Sequence, residues 1–194
     1  MGTQETTSST PVLRIAGPVG AGKTTLISQI LPALRSDADV GVIQRDMHQS
    51  DEKFITEELG GVANDRTILA MRNTSEGRLQ RFVEAHDDLD LVILEDIGRN
   101  ATTTADDAII DYSMYVVSVS EGDNIPYRRE SPIRECDLLV LNKADLADAV
   151  DADLDQINRE IRGMRDGPFY LTDSKTGESI TSVVERVNQA LFNS

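Results

Sequence analysis

Lys23 and Thr24 close the string GPVGAGKT, residues 17–24, which follows the apolar run VLRIA. Gly, four residues, Gly, Lys and then a hydroxyl residue is the spacing of a turn that cradles phosphate. Gly17, Gly20 and Gly22 let the backbone bend tightly and bring its N–H groups close to anionic oxygens, with Ala21 in the same cradle. A helix opening near Lys23 adds the positive end of its dipole. Lys23 is expected to bridge the outer phosphates, Thr24 to ligate Mg2+, and Thr25 to reach an inner phosphate. Two acids stand ready for the same ion. VILEDIG ends a predicted strand at Glu95 and sets Gly98 three residues on. A carboxylate at that tip can hold Mg2+ directly or through water, and a Gly N–H can approach a terminal phosphate. VIQRDM offers Asp46, to bind Mg2+ or to position an attacking water; Asp96 is a neighbour with no assigned role. Lys23, Asp46, Glu95 and Gly98 form the expected catalytic set.

The string NKAD, Asn142 to Asp145, follows the apolar run DLLVL. It resembles the guanine-binding signature of GTPases. Asp145 can accept from both the ring N–H and the exocyclic amine of guanine; adenine lacks that donor pair, so ATP is the rival that this carboxylate disfavours. Lys143 can lay its alkyl stem along the base, and Asn142 can tie the loop together. TDSK, residues 172–175, resembles a second base-contact loop through Ser174 and Lys175, and reads equally as a plain turn into the last helix.

These groups need rigid supports. Apolar runs of strand length lie at 12–16, 40–44, 67–71, 89–95, 114–120, 137–142 and 168–172. Helical spacing is visible in KTTLISQILPALR, DEKFITEEL, EGRLQRFVEAH, DADLDQINREIRGM and SITSVVERVNQALF, with Pro32 placed to disturb the end of the first. Near-continuous apolar strands separated by helices predict a three-layer α/β fold of the P-loop NTPase type: a mostly parallel sheet with helices on both faces, its ligands beyond the carboxyl ends of the strands. Residues 1–10 read as a polar flexible tail and 11–194 as a single domain.

Composition narrows the partners. The chain has 194 residues, 34 Asp plus Glu against 19 Lys plus Arg, and a net charge of −15. That balance disfavours nucleic acid and anionic membranes, both of which need clustered cations. No apolar run approaches membrane-spanning length and the start lacks a secretion pattern, so a soluble cytoplasmic protein is expected. The lysines are only Lys23, Lys53, Lys143 and Lys175. A surface nearly cleared of Lys and rich in Asp predicts adaptation to high salt, where screening suppresses self-repulsion. Cys136 is the sole cysteine, which excludes an internal disulfide, and it reads as a small core residue.

Taken together, the motifs resemble the urease accessory GTPases that deliver nickel and, more distantly, the hydrogenase nickel-insertion GTPases. The resemblance runs over most of residues 12–192. It includes RDMHQSDEKFI, DLDLVILEDIGRN with Glu95, Gly98 and Asn100, and SEGDNIPYRRESPIRECDLLVLNKADL, whose GDNIP stretch is demanded by nothing in generic GTPase chemistry. It implies a GTP- and Mg2+-dependent protein that works as a nucleotide-dependent homodimer and matures a metalloenzyme. The family's Cys-Pro-His nickel motif is missing: the corresponding region, GGVANDRTILAMRNTSEGRLQRF, holds neither Cys nor His. His48 and His86 lack the spacing of a ligand pair; His86 reads as a helix-end residue, His48 as a neighbour of Asp46. Nickel is therefore not expected as cargo. Arg45, Arg99 and Arg128 are weak candidates for a charge-neutralising finger across a dimer. The expected function is an accessory GTPase for metalloenzyme maturation. The alternative is a regulatory GTP-binding module without metal delivery; a small-molecule phosphotransferase lacks any acceptor motif.

Overall fold

The computed structural model describes residues 10–34, 38–45, 59, 67–71, 78–97 and 105–192. Seven strands form one sheet: β1 (Val12–Gly17), β2 (Val40–Arg45), β3 (Thr67–Met71), β4 (Leu91–Ile97), β5 (Tyr112–Ser118), β6 (Leu138–Asn142) and β7 (Phe169–Leu171). Their order is β3-β2-β4-β1-β5-β6-β7, and every pairing between them is parallel. The described helices are α1 (Lys23–Ile30), α2 (Arg78–Ala85), α3 (Ile125–Arg128), α4 (Glu130–Glu135), α5 (Leu154–Met164) and α6 (Ile180–Leu191). No helix among the described residues is long and apolar enough to cross a membrane.

A strand turns successive side chains to opposite faces, so each strand feeds two cores. Leu13, Ile15, Val42, Ile93, Val116 and Val140 face one side, where Leu26 and Ile27 of α1 and Val183 and Val187 of α6 close over them. On the other face Val117, Leu139 and Leu141 meet Ile133, Ile157 and Ile161, while Val12, Ile43, Val92 and Leu94 meet Leu79 of α2. Arg14 stands between those two apolar clusters on β1. Its guanidinium pairs with Asp96 at 2.9 Å and Asp107 at 3.1 Å, a polar seam in an otherwise apolar layer. Apolar burial at about 25 cal/mol per Å² holds these layers together.

All seven predicted strands are present, β3 with the predicted bounds and the others with shifted ends. β4 runs on to Ile97, paired with Gly17 of β1, so Glu95 lies inside the strand rather than at its tip. β5 begins earlier and stops at Ser118, whose hydroxyl accepts the Ser120 N–H and turns the chain into a tight 3-10 turn over Val119–Glu121. α1 stops at Ile30, and Leu31–Ala33 winds more tightly where Pro32 cannot donate to the helical ladder. Asp153 caps α5 by accepting the Gln156 N–H at 2.9 Å. The predicted helix over 51–59 lies outside the described residues except for Leu59.

The topology positions the site. β1 leads toward β2 on one side of the sheet, while β4 leads toward β5 on the other. The crevice beyond adjacent β1 and β4 is therefore a topological switch point, where parallel α/β sheets hold ligands.

Candidate functional site

The last residue of β1 and the turn after it carry three glycines with positive φ: Gly17 at 153°, Gly20 at 79° and Gly22 at 90°. A β-carbon on Gly17 would run into the carbonyl of Val116, and one on Gly22 into the side-chain amide of Asn142. Both positions thus need Gly for space as well as for torsion. Lys23 opens α1 and folds back over the turn, its Nζ donating to the carbonyls of Gly17 and Pro18, each at 2.9 Å. Burial lowers the Lys23 pKa below its usual value, and the nearby carboxylates of Glu95 and Asp96 oppose that shift.

Thr24 lies one residue further into α1 and donates its hydroxyl to Glu95 Oε1 at 2.7 Å. Glu95 follows Leu91 and Ile93 on the face of β4 that meets α1, which is why strand and helix bring these two together. Gln44, at the matching position of β2, donates its amide to Glu95 Oε2. A hydroxyl and a carboxylate offer hard oxygen donors, the set that Mg2+ takes. Glu95 is buried, and each of its carboxylate oxygens takes one of these hydrogen bonds. Asp46 and Gly98 lie outside the described residues, as do His48, Arg99 and Asn100.

The second half of the site is assembled by Asn142 at the end of β6. Its amide donates to the carbonyl of Ala21 at 3.0 Å. Its oxygen accepts from the Ser174 N–H at 3.0 Å, the Ser174 hydroxyl at 2.9 Å and the Thr172 hydroxyl at 3.2 Å. One side chain thus clasps the turn after β1 to the loop after β7. Lys143 is held in a left-handed conformation, φ 62°, and its Nζ donates to Gly20 O at 2.6 Å. Such a torsion in a residue with a β-carbon costs about 1–3 kcal/mol and marks a position fixed by its surroundings.

A pocket of about 320 Å³ opens between Gly22, Thr25, Lys143, Asp145, Ser174 and Lys175. The exposed Asp145 carboxylate sits on its wall. Asp173 shapes the far wall: Oδ1 accepts the Lys175 N–H at 2.9 Å and Oδ2 the Thr176 hydroxyl at 2.7 Å. The Thr176 bond leads in pulling the Asp173 pKa below the usual carboxylate value. All the described members of the predicted set therefore converge on one edge of the sheet.

Gln44, Asp173 and Arg14 are the residues that pattern reasoning passed over. The signal for Gln44 was present: it occupies the inward phase of VGVIQ, where Val40 and Val42 are apolar. GDNIP lies after β5, where Gly122 adopts φ 79° and Asp123 accepts the N–H of Asp153, bracing the loop against the cap of α5. Arg128 reaches back to the carbonyl of Glu121 at 3.3 Å, and Arg45 closes β2. His86 follows α2, stacks on Phe82 at 4.3 Å between ring centroids, and hydrogen-bonds the Phe82 carbonyl through Nδ1 at 2.9 Å. Cys136 is partly buried at the edge of a core cluster, with Arg165 Nη1 2.8 Å from its sulfur. Among the described residues no group of three or more His, Cys, Asp or Glu side chains is arranged to hold a metal.

Known proteins resemble this chain in sequence and in fold. The chain is 34% identical to the urease accessory protein UreG of Natronomonas pharaonis and 35% identical to that of Haloquadratum walsbyi, in each case over 92% of this chain and 94% of the relative. Its fold matches the hydrogenase maturation factor HypB of Archaeoglobus fulgidus with a TM-score of 0.74, at 24% identity, over 94% of this chain and 91% of that one. HypB of Helicobacter pylori, solved in complex with nickel, matches with a TM-score of 0.73 at 18% identity, over 93% and 86%. Residues 11–170 match the family described as CobW/HypB/UreG, nucleotide-binding domain. With that match spanning the glycine turn, the loop at Asn142–Asp145 and strands β1 to β6, the chain belongs to the CobW/HypB/UreG nucleotide-binding family.

Proposed function

We propose that this protein binds guanine nucleotide with Mg2+, hydrolyses GTP, and serves as an accessory GTPase in the maturation of a metalloenzyme, as the names of its urease accessory relatives suggest. The observation that carries the reading is the Asn142 clasp, which joins the glycine turn and the Asp145 pocket into one site of two halves. Phosphates would lie against the N–H groups of residues 20–25 and the Lys23 ammonium. Guanine would occupy the Asp145 pocket, with the stem of Lys143 along its face. Thr24 and Glu95 would hold Mg2+, with Asp46 as a further ligand or as the residue that positions water; bound there, the ion neutralises charge on the phosphate oxygens. The neighbouring Lys23 ammonium remains for the outer phosphate.

Turnover by the isolated chain would be slow on this reading, with Arg45, Arg99 or Arg128 brought across to the site in a nucleotide-dependent homodimer. A second reading keeps nucleotide binding and discards metal delivery, making the protein a nucleotide-reporting interaction module. It is favoured by the stretch 60–82, which contains neither Cys nor His. Thermal melts test the shared core: GDP and GTP with Mg2+ raise the midpoint by several degrees, ADP and ATP do not, and Lys23→Met loses the effect without lowering the nucleotide-free midpoint. Equal protection by ADP, or none by GDP, refutes guanine binding. Nickel titration separates the two readings, since tight GTP-dependent nickel binding would require delivery.

A further inference from the structure

Gln44 is buried to 2% exposure beside Glu95, deeper than a polar amide goes without reason. Its Nε2 donates to Glu95 Oε2, while its Oε1 is buried with no hydrogen-bond partner among the described residues. The orientation follows from chemistry: a carboxylate only accepts, so the amide nitrogen must face it. The other carboxylate oxygen already takes the Thr24 hydroxyl. An acceptor without a partner among the described residues is thus held next to a carboxylate assigned to the metal, and leaving such an atom unsatisfied costs about 1–3 kcal/mol.

We infer that Gln44 is a positioning residue for the magnesium site: its amide N–H fixes the Glu95 carboxylate, and its Oε1 accepts a hydrogen bond from a water carried by the ion. The inference rests on the reading of Thr24 and Glu95 as magnesium ligands. Magnesium sheds water reluctantly and keeps several molecules in its shell, each with protons that need acceptors. An amide serves both purposes without charge, donating to the carboxylate and accepting from the water. Glu at position 44 would instead set two carboxylates against each other. Residues that orient a metal ligand in this way typically change metal affinity by 10–100-fold when removed.

The test measures affinity of the full chain for a non-hydrolysable GTP analogue by calorimetry, across a Mg2+ titration and in EDTA. In Gln44→Met, which keeps the volume and removes the amide, the Mg2+ concentration for half-maximal tight binding rises about tenfold, while affinity in EDTA matches the parent protein. Glu95→Gln also raises the Mg2+ requirement, and the double variant loses less than the product of the two single losses, because both act on one carboxylate. If Glu95→Gln shifts the Mg2+ dependence and a folded Gln44→Met does not, the role of Gln44 is overturned and the magnesium reading stands. Equal loss with Mg2+ and in EDTA also overturns it, as the mark of a merely structural residue. If the parent protein binds equally well with and without Mg2+, both readings fall. Should Gln44→Met not fold, Gln44→Thr, whose β-branched side chain suits a strand, is judged by the same outcomes.

Discussion

Lys23 carries its charge into a place where only 5% of its surface meets water. Burial lowers its pKa, so the unfolded chain holds this proton more tightly than the fold does, and stability tends to rise with pH across that interval. The ion is thus tolerated rather than stabilising, as expected of a group kept for binding. Asp173 is the opposite case. Its carboxylate is held below the ordinary 3.8 by the Thr176 hydroxyl and by the N–H groups of Lys175 and Thr176. A depressed folded pKa contributes stability that is complete above 3.8 and fades as pH falls through the folded value. Asp173→Ala should cost about 1–2 kcal/mol at pH 7 in urea denaturation, and the gap to the parent protein should narrow below pH 3.8. A gap independent of pH would mean that Asp173 acts through packing alone.

At the scale of elements, the close approach of β1 and β5 decides what the site tolerates. Gly17 ends β1 with its Cα against the Val116 carbonyl, so Gly17→Ala requires the two strands to part or the turn to rotate. It is predicted to destabilise by about 3 kcal/mol by denaturant midpoint, and to weaken nucleotide binding further than the stability loss explains. Gly20→Ala meets no neighbour within 4 Å and should cost only the torsional strain of φ 79°. The strands and the glycine turn were legible in the sequence because their signals are local: short apolar runs, then a fixed spacing. α3 and α4 were not, since four and six residues around Pro126 and Pro132 are too short to show a period. The last two residues of β4 were also hidden, because their pairing with Ala16 and Gly17 depends on neighbours far along the chain. Asn142, Lys143 and Asp145 were found by motif, Asn142 as the residue that ties the loop together; which groups it ties emerged only when β7 brought Thr172 and Ser174 beside it. Gln44 reads as the edge of a strand until Glu95 is seen next to it.

For the whole molecule the dominant quantity is the net charge of −15. Self-repulsion on this scale is screened as the Debye length shrinks from about 10 Å at 0.1 M salt to about 3 Å at 1 M. Molar KCl is predicted to add about 2 kcal/mol, roughly 4–8 °C in thermal midpoint for a chain of this size, and a midpoint indifferent to salt would remove the case for high-salt adaptation. The polar seam of Arg14, Asp96 and Asp107 is partly buried and should keep its ion pairs under the same conditions, since screening acts mainly on exposed charges. The Asn142 clasp reaches across the fold in time as well as in space. Asn142 reaches 121 residues back to Ala21 and 32 residues on to Ser174, and neither segment can swing away without breaking contacts of the same amide. Their fluctuations therefore belong to one cooperative unit. Residence of a bound nucleotide would be governed by a single opening event, its release following one exponential, and anything that levers the end of β6 would loosen both ends of the guest together.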